Sequence, residues 1–104
     1  MKYNLGFLPI AEKDIRRIAI YIANELFAPV AAANLVREIR RKANCLRETP
    51  YMYREYQSEL RHETVYRAMM VKNYIVFYTV CEKTKSVVIH RVIYAKMDLD
   101  AFMQ

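Results

Sequence analysis

His62 and His90 are the only side chains of this sequence whose unperturbed titration lies near neutral pH. His90 sits in the run SVVIHRVIY, where it alternates with Val88 and Val92 and so is expected on their face. There it is either a partly buried group held by a hydrogen bond or a general base offered to a substrate. Arg91 gives it no help, because neighbouring strand residues face opposite sides. His62, beside Arg61 in a stretch without a regular period, reads as exposed. Arg67 lies in an earlier β-rich run. It is either tied to a carboxylate such as Glu63 or Asp98, or open to a phosphate or a target surface. Tyr74 and Tyr78, four residues apart, share one side of a strand. They either pack in the core with each hydroxyl finding a partner, or stack on bases. Lys72, Lys83, Lys85 and Lys96 fall at turns and at the end of the last strand, where a solvated surface is the plain reading.

The charge balance bears on partners. Seventeen Lys and Arg against eleven Asp and Glu give a net charge of +6, which fits a polyanion, either nucleic acid or an acidic polypeptide. Cys45 and Cys81 lie far apart and match no metal spacing. They read as small buried hydrophobes in a reducing compartment. Nothing in the sequence points to a metal or another cofactor. No apolar run reaches the ~18 residues of a membrane span, and Lys2, Asn4 and Gly6 interrupt the N-terminus, so a cytoplasmic protein without a membrane partner is expected. The 104 residues read as one domain, 1–104. Folding a chain of this size buries roughly 65% of the unfolded surface, enough for a core without staples.

The elements that must position these residues follow from periodicity. Residues 2–8 alternate Tyr3, Leu5 and Phe7 against Lys2, Asn4 and Gly6, as a half-buried strand does. Pro9 ends that run and suits the first turn of a helix. From Ile10 to Leu26, Ile15, Ile18, Ala19, Ile22 and Leu26 make one helical stripe, which Ile20 and Tyr21 widen toward a second neighbour. Glu12 and Asp14 are expected in its first turn, with Glu12 reaching Arg16. Pro29 opens a second helix to about Arg47. It has an apolar side from Ala32 to Leu46 and a basic side carrying Arg37, Arg40 and Arg41 that reads as solvated. The short link at Phe27 and Ala28 forces an antiparallel hairpin. Thr49-Pro50 closes it. Residues 50–63 read as a loop that packs its aromatics back onto the domain.

Three β-rich runs follow: Thr64–Met70, Tyr74–Cys81 and Ser86–Tyr94. Short polar turns join them as an antiparallel meander, with Asn73 the candidate for positive φ. The middle run is apolar or aromatic except at Thr79, so it belongs at the centre of a sheet covered on both faces. Ala95–Gln104 is a tail in which Asp98, Leu99 and Phe102 suit one docked helical turn. The fold class is α+β: N-terminal strand, helix hairpin, three-stranded antiparallel meander, short C-terminal tail.

Several local patterns in this order resemble the RelE/ParE superfamily, the toxins of type II toxin–antitoxin pairs. FLPIAEKDIRRIAIYI is similar to the family's strand-to-helix opening, a Pro or small residue followed by A-x-x-D-h-x-x-I. RETPYMYR resembles its exit from the second helix. The run from Arg67 to Tyr78 is similar to R-x-l-x-v-x-x-Y-x-i-x-Y, and VVIHRVIYAKMDL resembles the closing strand. That strand often ends in His-Gly-Arg-Arg-Asp, where Tyr94-Ala95-Lys96-Met97-Asp98 stands here.

The resemblance covers about the whole chain. It implies a growth-arresting protein neutralised by a cognate antitoxin with an acidic or amphipathic segment, and a role in plasmid stabilization. One branch cuts mRNA in the ribosome; the other poisons DNA gyrase. The nucleases carry basic or acid–base residues on the exposed sheet face, for the 2′-hydroxyl, the leaving oxygen and the phosphate. Tyr66, Ala68, Ile75 and Ala95 stand at those places in this chain, a departure from the nuclease pattern, and the helix hairpin and the Y-x-x-x-Y strand look closer to the ParE side. The expected reading is a toxin that binds, with gyrase the favoured target and Arg67, Lys72, Tyr94 and Lys96 the contact candidates. The alternative is a ribosome-dependent endoribonuclease using His90, Arg67 and Lys96. A third reading is a basic binding module without activity.

Overall fold

The computed structural model describes residues 2–56 and 64–96. The chain runs β1 (Asn4–Phe7), α1 (Pro9–Asn24), α2 (Pro29–Cys45), β2 (Arg67–Val71), β3 (Tyr74–Cys81) and β4 (Ser86–Tyr94). The last two strands have the expected bounds, whereas β2 begins three residues later than the pattern suggested. The strands form one sheet in the order β1-β4-β3-β2, with β2, β3 and β4 an antiparallel meander. β1 lies parallel to β4 at the far edge. A parallel neighbour needs a long crossover, and the helix hairpin supplies it, carrying the chain from one edge of the sheet to the other.

Each helix starts on a proline, which loses no hydrogen bond in a first turn. Their link bends through Phe27 at φ 53°, a conformation uncommon outside glycine. The helices bury Ala11, Ile15, Leu35, Ile39 and Ala43 against Met69, Val71, Val76, Tyr78, Val87 and Ile89 of the sheet. Ile39 is fully buried, and truncating such a side chain to Ala costs about 2–5 kcal/mol. The opposite sheet face holds a smaller cluster of Phe77 and Ile93 with Tyr56, Tyr66, Ala68 and Ile75. β3 is thus covered on both faces, as its unbroken apolar run requires.

Several local expectations are corrected. Phe77 opposes Arg91 but Tyr78 opposes Ile89, so His90 is the extra residue of a β-bulge. The bulge resets the alternation: Ile89 and Val92, three apart, both enter the helix-side core, and His90 does not share Val92's face. Positive φ in the β2–β3 turn falls on Lys72 (54°), not Asn73. Glu12 pairs with Arg40 of α2 at 2.7 Å, not with Arg16 one turn on. Of the two acids expected in the first turn of α1 only Glu12 lies there; Asp14 sits further on and is buried. Cys45 and Cys81 are free and exposed, not buried, because each ends its element where the packed face has run out.

The segment after α2 is pinned to the sheet. The Tyr78 hydroxyl donates to the Pro50 carbonyl at 2.8 Å. Residues 54–56 bridge the outer edge of β2, with Ala68 N–H donating to Arg54 O and Tyr56 N–H to Tyr66 O. Tyr53 packs on the helix-side core and Tyr56 on the opposite cluster, as a loop returning its aromatics would. At the other end, Glu82 accepts from Tyr3 at 2.6 Å, from Tyr51 and from Lys85, tying β1, this segment and the β3–β4 turn together. Those donors, Lys85 foremost, pull the Glu82 carboxyl down to about 2. His62, Glu63, Asp98, Leu99 and Phe102 lie outside the described residues. Among the described residues no helix is long and apolar enough to cross a membrane.

Candidate functional site

The three residues that mRNA cleavage would need are not brought together. Ala68 belongs to the outer cluster while Met69 and Val71 enter the helix-side core, so strand alternation puts Arg67 on the helix side. There its Nη1 donates to Tyr53 O at 2.8 Å, its Nη2 lies 3.8 Å from Glu55, and its guanidinium sits 4.9 Å from the Tyr51 ring centroid. The carboxylate partner is therefore Glu55, which the β2-edge bridge brings alongside. His90 is on the opposite face. Its Nε2 is 2.9 Å from Thr79 Oγ1, and Tyr66 meets its ring edge-to-face at 5.1 Å. Burial pushes its pKa below the ordinary 6.5, which favours the neutral imidazole. Lys96 is exposed in the turn beyond β4.

Around His90 the outer face carries Tyr66, Ala68, Ile75, Phe77 and Ile93. These side chains hold neither a phosphate-binding cation nor a titrating acid. Arg91, next to His90 in sequence, is paired with Asp14, and Arg67 is committed on the other side of the sheet.

Lys72 and Tyr94 fall together elsewhere. β1 pairs with Ser86–Ile89, and past it β4 has no strand neighbour on that side among the described residues. α1 fills part of the gap. Asp14 accepts Arg91 Nε at 2.8 Å and Nη2 at 3.0 Å, and its Oδ2 also takes the Val92 N–H at 3.0 Å. Beyond this junction a groove of about 790 Å³ opens between the helix hairpin and the end of the sheet. Its floor is apolar: Ile18, Ile22 and Leu35 from the helices, Tyr74, Val92 and Tyr94 from the strands. Tyr74 and Tyr94 are cross-strand partners with ring centroids 5.6 Å apart. Burial, then the neighbouring Tyr94 and Tyr21, raise the Tyr74 pKa, so its hydroxyl stays protonated.

Arg17 and Lys72 stand at the groove's margin. Lys72 also borders a second concavity of about 540 Å³ on α2, lined by Asn34, Arg37, Glu38 and Arg41. Arg41 bonds Glu38 and Arg37 bonds Asn34. The groove was not legible as a site in the sequence. Its trace was the widening of the α1 stripe by Tyr21, which lines the groove and is 53% exposed; Ile20, the other widening residue, is 58% exposed and is not part of the lining.

Two packed helices on one face of a four-stranded sheet, with a parallel first strand and an antiparallel meander, form the fold of RelE/ParE-type toxins. The sequence matches the family described as the ParE toxin of the type II toxin–antitoxin system parDE over residues 5–99, and the chain belongs to that family. Among solved structures it is similar to the chromosomal ParDE system from P. aeruginosa, at 18% identity and a TM-score of 0.73, covering 91% of this chain and 98% of that one. It is also similar to a RelBE toxin–antitoxin complex from Mycobacterium tuberculosis, at 18% identity and 0.65, covering 92% and 95%. The E. coli RelBE complex aligns at 15% identity and 0.63, covering 91% and 99%. At these identities the structural likeness speaks to fold alone. No curated protein matches the sequence significantly.

Proposed function

We propose that this toxin arrests growth by binding its target rather than by cutting RNA, with DNA gyrase the favoured target, and that a cognate antitoxin neutralises it. One observation carries the reading: the outer sheet face holds Tyr66, Ala68, Ile75 and Phe77 around a hydrogen-bonded His90, with Arg67 on the opposite side. Cleavage at a 2′-hydroxyl needs a base and an acid within about 3 Å of the reacting oxygens, and cations on the phosphate. Among the described residues of that face, a hydrogen-bonded imidazole set among aromatic and aliphatic side chains supplies at most one of these. A binding toxin needs no such set, and membership of the ParE family fits it.

Expression of the chain alone is the test. The expected result is growth arrest with a DNA-damage response and intact mRNA. Arrest accompanied by codon-specific mRNA cuts would overturn the proposal in favour of the ribosome-dependent endonuclease. No arrest at all would leave an inactive basic binding module.

A further inference from the structure

Most cations that join elements of this fold face a carboxylate: Arg40 faces Glu12, Arg67 Glu55, Lys85 Glu82 and Arg91 Asp14. The exposed side of α2 and the β2–β3 turn beside it are balanced differently. Arg37, Arg41 and Lys72 line the concavity of about 540 Å³ together with Glu38 and Asn34. Lys42 reaches from α2 toward the same turn, its Nζ 3.3 Å from the Met70 carbonyl oxygen. Four cations thus meet one carboxylate. We infer that this concavity grips the phosphate backbone of duplex DNA, so that the toxin holds its target and the DNA on which that target works at the same time. The inference rests on the gyrase reading above and adds a second partner to it.

The charge is held in place and left uncancelled. Arg37 donates to the side-chain oxygen of Asn34, a neutral acceptor, and Lys42 donates to a backbone carbonyl. Each bond orients a cation without neutralising it. Arg41 is spent on a carboxylate, that of Glu38. That hydrogen bond above all, helped by the charges of Arg41, Lys42 and Lys72, holds the Glu38 carboxyl below its ordinary 4.5. It is therefore ionised at neutral pH, and the wall keeps a net of three positive charges.

The spacing suits a backbone. Asn34, Arg37, Glu38 and Arg41 follow one another in steps of three or four residues along one side of α2. Arg37 and Arg41 are one turn apart, about 6 Å along the helix axis. Successive phosphates of one strand advance about 3.4 Å along a duplex. The arginine row can therefore run beside two or three phosphates, with Lys72 contributed by the turn.

The lining also selects the class of partner. Every residue of the concavity is polar or charged, and none is aromatic. A protein partner is anchored by large side chains buried in fitting pockets, and a single strand by bases stacked on rings. The concavity offers neither. A duplex backbone asks only for charge and hydrogen-bond donors, and the gyrase reading makes that duplex DNA.

The probe is a fluorescently labelled 20-base-pair DNA duplex titrated with the purified chain, with anisotropy as the readout. Binding is expected at 50 mM KCl with a Kd on the order of 1–100 μM, alike within threefold for two duplexes of unrelated sequence. The slope of log K against log salt should be about −3, since each neutralised phosphate contributes about 0.9. Arg37→Gln and Lys72→Asn should each weaken binding at least threefold and make the slope shallower by about one. Asn is chosen because residue 72 sits at φ 54°, which it tolerates. Glu38→Gln should tighten binding at least threefold, a gain that a merely structural residue would not give. Lys83→Gln, beyond the other end of β3, should change it less than twofold. No binding at 50 mM KCl, an equal loss in Lys83→Gln, no gain in Glu38→Gln, or tighter binding of the same-sequence RNA duplex or of polyglutamate would overturn the inference. The growth assay separates the two readings. Arrest by a chain that does not bind the duplex removes the DNA contact and leaves the toxin reading standing. Duplex binding without arrest keeps the contact and removes the toxin activity.

Discussion

Asp14 and Arg91, 77 residues apart in sequence, meet in a two-point ion pair, and the same carboxylate takes the Val92 N–H. The pair bolts α1 to β4 where β1 has ended, and so fixes one wall of the groove. Asp14 is 5% exposed and the Arg91 side chain 16%. Removing one partner of such a pair leaves an uncompensated charge and a lost backbone bond.

Asp14→Asn is therefore expected to destabilise the fold by about 3 kcal/mol, the low end for a buried pair because Arg91 keeps some solvent. The urea midpoint should fall with the m-value unchanged. Asp14→Leu combined with Arg91→Met should cost less than the sum of the single changes, since the pair is then removed whole. A loss under about 1 kcal/mol for Asp14→Asn would mean that solvent already screens the pair.

The Glu82 cluster gives stability two pH limits. Lys85, Tyr3 and Tyr51 hold the Glu82 carboxyl at about 2, below its ordinary 4.5. A depressed acid contributes stability that is present above 4.5 and is lost as pH falls toward 2. The hydrogen bond to Glu82 pushes the Tyr51 pKa up to about 12 from 10. That contribution is present below pH 10 and is lost as pH rises through 12. Thermal melts of Glu82→Gln should thus converge on those of the unmodified protein as pH drops from 4.5 to 2.5. Tyr51→Phe should flatten the alkaline fall. The group is exposed, so 0.5 M salt should shrink both effects. Parallel melting curves across the acid window would show that the cluster does not persist in solution.

The architecture was readable because its periodicities are long and unambiguous. Pro9 and Pro29 mark both helix starts, and the apolar runs Tyr74–Cys81 and Ser86–Tyr94 match β3 and β4 residue for residue. What escaped was set by tertiary contact. Asp14 reads as a first-turn charge until β4 is seen to place Arg91 and an unpaired N–H beside it. No alternation rule locates His90, because one bulged residue reverses every face after it. The groove is a gap between elements. Its only local trace was an α1 stripe too wide for one neighbour, while its charged margin comes from a turn residue 55 positions after Arg17.

His90 is expected to be dispensable. Its Nε2 is spent on Thr79 and its ring packs on Tyr66. His90→Ala should arrest growth as fully as the unmodified chain. Loss of arrest in a variant that still folds would return His90 to the mechanism. NMR titration should place its imidazole below 6.5. The unfolded chain then binds the proton more readily than the fold does, so stability should decline as pH falls below 6.5. His90→Gln should lack that decline.

Tyr78 tests how the segment after α2 is held. It is fully buried, and its hydroxyl donates to the Pro50 carbonyl. Tyr78→Phe keeps the ring but leaves that acceptor without its donor, which costs about 1–2 kcal/mol. The loss should be local in its first effects. Pro50 is the first of a series of anchors, followed by the Tyr53 carbonyl on Arg67 and the backbone bonds Ala68 to Arg54 and Tyr56 to Tyr66. Releasing the first should let the others open more often, since exchange reports local opening below the global free energy. Amide exchange should therefore accelerate at Ala68 and Tyr56 by a larger factor than at Ile39 of α2. A uniform acceleration would show instead that the segment unfolds only with the whole protein, and that Tyr78 acts through the core alone.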